Sequence, residues 1–333
     1  MPRVTILMPV RNEERHLQAA LDSLHRQSMT DWELVAVDDG SDDDTPRILG
    51  AAACMDSRVR VIRCERVGLV AALNVGLGEC RAPLLARMDG DDISHPRRLE
   101  MQATHLDAHP DTGLVACNFR HFPRNRLKQG MIAYENWQNA LEEHELIMRD
   151  LFVESPFVHP SIMTRRTILE LFGGYKEQCG PEDYDLWLRM AAGGIHFARL
   201  PQTLFFWRDH PERATRTMDE YSSNAFRSCK LDHLRQGFLN NIDEIVIAGA
   251  GLEARAWQRL LAASGISVSL WLDIDPRKIG RTLHGAPVTR PEDLKLGDRK
   301  MIVAIGVRGA REQFRSVSEK MGWHEGADFV CVA

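Results

Sequence analysis

The chain has 333 residues, 44% of them hydrophobic and 27% charged, with a formal net charge of −5. That is enough to bury a substantial core and to make roughly two domains, which excludes a disordered or fibrous polypeptide. A pI near 6.2 excludes the global basic field that draws a protein to nucleic acid or an acidic membrane, so no nucleic-acid partner is expected.

No apolar segment approaches the roughly twenty residues of a membrane-spanning helix, and the chain enters a strand-like pattern without signal-peptide architecture. A cytoplasmic protein, at most peripheral at the inner face of a membrane, is expected. Seven cysteines stand singly, Cys179 among them, with no Cys-x-x-Cys pair. The odd number and the spacing argue against a disulfide framework and a structural zinc site, and predict buried free thiols.

In chain order, Val4-Thr5-Ile6-Leu7-Met8 reads as a strand and Leu17, Ala20, Leu21 and Leu24 as a helix face. Further strands are Glu33 to Val37, Arg58 to Ile62 and Leu84 to Ala86, with a helix from Val70 to Gly76 before the last. This alternation predicts an α/β domain with a mostly parallel sheet, in which ligands collect at the carboxyl ends of the strands. Three strand ends carry polar clusters: Pro9 to Glu14, Asp38 to Asp42, and Asp89-Gly90-Asp91-Asp92.

The last cluster is the most informative. A loop that gathers Asp89, Asp91 and Asp92 is costly unless a cation neutralises it, which points to a metal-dependent phosphate site. The plain alternative is a solvated acidic turn before a helix that begins at Pro96. For Asp38 and Asp39 the plain alternative is a turn and cap feeding a helix near Thr45-Pro46, a role Asp42 could fill by itself.

Pro9-Val10-Arg11-Asn12-Glu13, Val37-Asp38-Asp39-Gly40-Ser41, Asp89-Gly90-Asp91-Asp92 and Glu182-Asp183-Tyr184-Asp185-Leu186-Trp187-Leu188-Arg189 occur in this order. Together they resemble a family 2 glycosyltransferase of the GT-A fold, over about residues 3 to 215. The resemblance implies a nucleotide-diphospho-sugar transferase fold with a mostly parallel central sheet and a nucleotide-diphospho-sugar donor, a UDP-sugar being favoured. It also implies a divalent cation, Mn²⁺ or Mg²⁺, and transfer with inversion at the anomeric carbon.

Within that resemblance, Asp39 accepts the imino proton of the base, while Pro9, Val10, Arg11 and Glu13 belong to the first-strand loop that covers the nucleotide. Many relatives carry an aromatic residue at the Arg11 position, and a guanidinium stacks on a base instead by cation-π contact. Asp91 is the principal metal ligand, with Asp89 nearer the ribose or sharing the ion, and Asp92 caps the following segment or orients its neighbours. Phe206-Trp207-Arg208-Asp209-His210-Pro211 resembles the family's Arg-x-His feature, with His210 completing the metal shell and Arg208 meeting phosphate. Asp183 resembles the base that takes the acceptor proton, and Glu182 binds the acceptor or positions that base. Without the resemblance, both acids read as first-turn helix residues favoured by the macrodipole. His159, Gly173, Gly174 and Trp187 are candidates for the donor or acceptor cleft, the glycine pair also reading as a helix C-cap.

Residues 1–217 are thus expected to form the GT-A domain and residues 218–240 a helical connector. Residues 241–333 start a new alternation, in which Glu244 to Ala248 runs into Gly249-Ala250-Gly251-Leu252-Glu253-Ala254 and Val268 to Leu272 ends at Asp273. This resembles the dinucleotide fingerprint in its strand-turn-helix context, with Gly249, Gly251 and Asp273 as a second nucleotide site. The module is nearer one mononucleotide half, so a Rossmann-like accessory domain is expected, with no NAD(P). Its expected partners are a second copy of the chain or another enzyme.

The function expected is sugar transfer to a glycan or lipid-linked acceptor in surface polysaccharide or glycoconjugate synthesis. A nucleotidyltransferase is the enzymatic alternative and would need a basic phosphate-gripping loop near the N-terminus, where the chain offers Arg11 and Arg15. A non-catalytic sugar-nucleotide sensor is the other, and intact Asp91 and Asp183 count against it.

Overall fold

Runs of apolar residues with no polar alternation become strands buried on both faces, and the chain carries them in two separate units of this computed structural model. The structure describes every residue except Gln178, Cys179, Glu212, Ala214, Thr215, Thr217, Leu296, Asp298 and Arg308. One unit comprises Met1–Met148, Pro156–Gln178 and Glu182–Met218. The other takes in Arg149–Ser155 as well as Asp219–Ala333.

The first unit opens with β1 (Val4–Val10), α1 (Leu17–His25), β2 (Trp32–Asp39), α2 (Thr45–Met55), β3 (Val59–Cys64), α3 (Leu69–Glu79) and β4 (Leu84–Arg87). There follow β5 (Ile93–Ser94), α4 (Arg98–Ala108), β6 (Thr112–Phe122), α5 (Gln129–Asn139) and α6 (His144–Asp150), whose last two residues are counted with the other unit. Then come β7 (Met163–Arg165), α7 (Arg166–Leu171), α8 (Glu182–Ala192) and β8 (His196–Arg208). The sheet order is β3-β2-β1-β4-β7-β6-β8-β5. Its first four strands are parallel, β7 is antiparallel to both β4 and β6, and β5 is antiparallel to β8.

Every residue of β1, β2 and β4 is buried. The α1 face Leu17, Ala20, Leu21 and Leu24 packs with Ile6, Met8, Leu34 and Ala86 into the core of this unit. Because β2, β1 and β4 are parallel neighbours, the three polar clusters share one rim. They flank the point where the strand order reverses, the usual ligand position in such sheets.

Several details differ from the sequence expectation. β2 runs on through Asp38 and Asp39, so these are strand residues and not a turn. At the start of α2 it is Asp43, not Asp42, that accepts the Thr45 N–H, at 2.9 Å; the Asp42 N–H donates to Asn12 instead. The helix after the aspartates begins at Arg98, not Pro96. Cys80, Cys117, Cys229 and Cys331 are buried, but Cys54 on α2 is exposed and Cys64, ending the edge strand β3, is partly so. Cys179 lies outside the described residues.

The second unit contains α9 (Ser223–Gln236), β9 (Glu244–Ala248), α10 (Leu252–Ala263), β10 (Ser267–Leu272), β11 (Thr282–Leu283) and β12 (Ala286–Thr289). It continues with β13 (Lys300–Val303), α11 (Ala310–Lys320) and β14 (Phe329–Cys331). The sheet order is β11-β12-β10-β9-β13-β14, parallel but for the β11 hairpin. Leu231 and Leu234 of α9 join Ile245, Trp257, Trp271 and Ile302 in its core, so the stretch after residue 218 packs as part of this unit.

Candidate active site

The loops after β1 and β2 are clasped by hydrogen bonds. Asn12 takes a left-handed backbone at φ 55°, its N–H donates to Ser41 Oγ at 3.0 Å, and its Oδ1 accepts the Asp42 N–H at 3.0 Å. The Glu13 N–H donates to Thr45 Oγ1 at 2.8 Å. Pro9 and Val10 end the buried β1, and Arg11 follows, partly buried, with an Nε that has no hydrogen-bond partner among the described residues. Asp38 is spent inside this corner, accepting the Ser41 N–H at 3.0 Å. Asp39 accepts the N–H groups of Val67, at 2.6 Å, and Gly68, at 3.1 Å, just ahead of α3. It braces that loop, and its carboxylate retains acceptor capacity beyond these bonds.

At the end of β4, ligand oxygens of Asp89, Asp91 and Asp92 all lie within 4.8 Å of one another. Each has a different environment. Asp89 is partly exposed and meets Arg87 Nη1 at 2.6 Å. Asp91 Oδ2 is 2.8 Å from His210 Nε2, and burial, which opposes its charge, is outweighed by that bond, so its carboxyl sits below the usual value. Asp92 is fully buried and accepts the Arg208 N–H at 2.7 Å, fixing the end of β8 instead of capping the next segment. Its Oδ2 has no partner among the described residues, and burial, then the charges of Asp91 and Asp89, hold it well above the usual carboxylate range. Burial and the Asp91 charge also push Glu13 up to about 8. Gly90 permits this crowding, since a Cβ there would meet Val10 Cγ1 at 2.8 Å and Glu13 Cγ at 3.3 Å. An acidic set with one orphaned buried oxygen and a histidine alongside suits a hard divalent cation, with Asp91, Asp89 and His210 as the available ligands.

The second cluster lies on the first turn of α8. Glu182 is buried, with Oε1 3.4 Å from His159 Nδ1, and His159 Nε2 is 2.9 Å from the Tyr175 hydroxyl. Burial first, then the Arg87 charge, lower the His159 pKa. A neutral ring donating from Nδ1 to Glu182 and accepting the tyrosine hydroxyl at Nε2 satisfies both contacts. Trp187, fully buried, packs edge-on to His159 at 5.8 Å and therefore braces that ring instead of lining a cleft. Asp183 is partly exposed and accepts the Tyr184 N–H at 2.7 Å. Burial and the adjacent Glu182 charge hold its carboxyl well above the usual range, with Arg87 pulling the other way.

Gly173 and Gly174 end α7 with φ of 72° and 65°, as the C-cap reading expects. Gly174 O accepts from Arg189 at 2.8 Å, and Tyr175 is held at both backbone groups by Asn74. The pair therefore positions Tyr175 beneath His159. Arg208 Nε donates to Asp91 O at 2.5 Å and its guanidinium lies over Phe122, 4.5 Å from the ring centroid. The predicted residues of this unit thus include an acidic cluster with His210 around Asp91 and a second carboxylate cluster around Asp183.

Two residues that sequence reasoning missed belong to these clusters. Arg87 is buried and meets Asp89 of the first, and its charge acts on Glu182 and Asp183 of the second; its signal was a charge closing an apolar run two residues before Asp89. Arg213 is buried, 3.8 Å from the Trp207 ring centroid, and its charge acts on Asp92 and Asp91. Nothing local in the sequence marked it. In the other unit, Gly249 makes its turn at φ 96° and Gly251 precedes α10. Asp273 Oδ2 accepts the Ala250 N–H at 3.0 Å and meets Lys278 Nζ at 2.7 Å. Asp273 therefore ties the glycine loop to the end of β10.

The model of glycosyl transferase family 2 matches residues 5–172, and the chain belongs to that family. It is 31% identical over 238 residues to the putative glycosyltransferase EpsE of Bacillus subtilis, covering 69% of this chain and 82% of that protein. It is 28% identical to the O-antigen biosynthesis glycosyltransferase WbnJ of Escherichia coli, over 70% of this chain and 88% of that one. Among solved structures, S. aureus TarS 1–349 in complex with UDP-GlcNAc superposes with a TM-score of 0.57 at 20% identity, covering 79% of this chain and 71% of that one. The mannosyltransferase PcManGT of Pyrobaculum calidifontis, in complex with GDP-Man and Mn²⁺, gives a TM-score of 0.51 at 23% identity, over 71% and 62% of the two chains. The protein is a glycosyltransferase with relatives in polysaccharide and O-antigen synthesis, and its larger unit has the GT-A fold.

Proposed function

We propose that the chain is an inverting, metal-dependent glycosyltransferase that moves a sugar from a nucleotide-diphospho-sugar to an acceptor hydroxyl in surface polysaccharide or glycoconjugate assembly. The observation that carries this reading is the pairing of Asp91 with His210, 119 residues apart in sequence, inside the Asp89-Asp91-Asp92 cluster. Asp91, Asp89 and His210 would hold a divalent cation there, which when bound would supply positive charge to the diphosphate leaving group. Arg208 and Arg11 give the donor side its phosphate and base contacts, and Asp39 a remaining acceptor for a base N–H. On the other side, Asp183 takes the proton of the acceptor hydroxyl as that oxygen bonds to the anomeric carbon. The bond to the nucleotide diphosphate breaks on the opposite face, giving inversion.

A UDP- or GDP-sugar is the donor class favoured by the complexes of the structural relatives. A glycan or lipid-linked acceptor is favoured by the O-antigen relative. Among the described residues no helix is long and apolar enough to cross a membrane. A thermal-shift screen of nucleotide sugars with Mn²⁺ tests the reading, because a ligand that binds the folded state raises apparent stability. At least one donor is expected to raise Tm in Mn²⁺ and not in EDTA, and no shift with any nucleotide sugar would contradict it.

A further inference from the structure

We infer that Arg87 is a positioning residue for the transfer reaction, one buried guanidinium joining the aspartate loop after β4 to the carboxylates that open α8. The inference rests on the proposed sugar transfer and adds to it a residue that serves both halves of the reaction.

Arg87 is 2% exposed. Its Nη1 is 2.6 Å from Asp89 Oδ1 and also donates to the Met88 carbonyl. Its own carbonyl is gripped by Arg98 Nη2 at 2.7 Å, so the backbone beneath the side chain is fixed. The Nε is buried without a hydrogen-bond partner among the described residues. A guanidinium in the interior with an unsatisfied N–H is an expensive way to stabilise a fold, and such a group calls for an explanation outside packing.

The groups around it supply one. The Arg87 backbone N–H donates to the Ile162 carbonyl at 3.1 Å, three residues past His159, whose ring holds Glu182 at 3.4 Å and the Tyr175 hydroxyl at 2.9 Å. The Arg87 charge is felt at Asp89 and also at Tyr175, Glu182, His159 and Asp183, with Arg98 as the neighbouring cation. Glu182 and Asp183 are adjacent carboxylates that repel each other's charge. A fixed cation nearby offsets part of that repulsion and draws the Asp183 pKa back down, favouring the carboxylate that takes the hydroxyl proton. The same cation holds Asp89, so donor-side geometry and base protonation depend on one side chain.

The test compares wild type, Arg87→Met and Arg87→Lys in the full chain, reading kcat, donor KM and the pH profile of transfer or donor hydrolysis. Arg87→Met should lower kcat by about tenfold or more and move the acid limb of kcat to higher pH by about one unit. Arg87→Lys keeps the charge but not the fork, so its acid limb should stay near wild type while donor KM rises several-fold. If Arg87→Met does not fold, the Lys variant carries the test by itself. An acid limb unmoved in Arg87→Met, one displaced in Arg87→Lys, or an unchanged donor KM in Arg87→Lys would overturn the inference. A wild type inactive with every nucleotide sugar would overturn the transfer reading and this inference with it.

Discussion

Two adjacent carboxylates on one helical turn take different roles when one is held by a histidine and the other is only partly buried. Glu182 is engaged by His159, whereas Asp183 is partly exposed and spends one oxygen on a neighbouring N–H. Asp183→Asn keeps the shape and removes proton-accepting ability, so transfer should fall about a hundredfold or more at nearly constant donor affinity. Because burial and Glu182 raise the Asp183 pKa, wild-type kcat should fall as pH drops through that raised value, and this limb should vanish in the variant. The stability effect has the opposite sense. A carboxyl raised above its unfolded value contributes stability below that unfolded value and loses it as pH rises through the folded one. Asp183→Asn should therefore raise Tm at pH 8, and a lowered Tm there would mean that the side chain acts mainly as a helix cap.

At the level of elements, the strands were legible because continuous apolar runs such as Val4 to Met8 leave no alternative to a buried parallel strand. The cluster-bearing strand ends followed from the same pattern. What the sequence did not disclose were partners brought from far along the chain: Asp92 with Arg208, Asp39 with Val67 and Gly68, and Glu182 with His159. Each depends on tertiary packing that no local spacing encodes. The glycine pair was legible as a cap but not as a support for Tyr175. At Gly174 the backbone has φ 65°, and a Cβ would meet Asn74 Oδ1 at 2.7 Å. Gly174→Ala should cost about 1–3 kcal/mol by denaturant titration, because it adds left-handed strain and displaces Asn74 from Tyr175.

Across the whole molecule, the second unit takes in a segment that composition gave no reason to assign to it. Arg315 of α11, 7% exposed, pairs with Asp150 at 2.6 Å across 165 positions and with Glu325 at 2.8 Å. Asp150 is 1% exposed. Arg315→Met would leave it without that charge partner, a loss of about 3 kcal/mol or more in chemical denaturation. A change under about 0.5 kcal/mol would show that Arg149, 3.0 Å from Asp150, compensates the charge alone.

The proposed function depends on a cation-dependent donor site at the rim of the larger sheet. Its most direct test is calorimetric titration of the full chain and of Asp91→Ala with UDP- and GDP-sugars, each in Mn²⁺ and in EDTA. Wild type should bind at least one of them in Mn²⁺ and lose most of that affinity in EDTA, and Asp91→Ala, folded by circular dichroism, should bind equally weakly in both. Undiminished Mn²⁺-dependent affinity in Asp91→Ala, or wild-type affinity indifferent to EDTA, would contradict it.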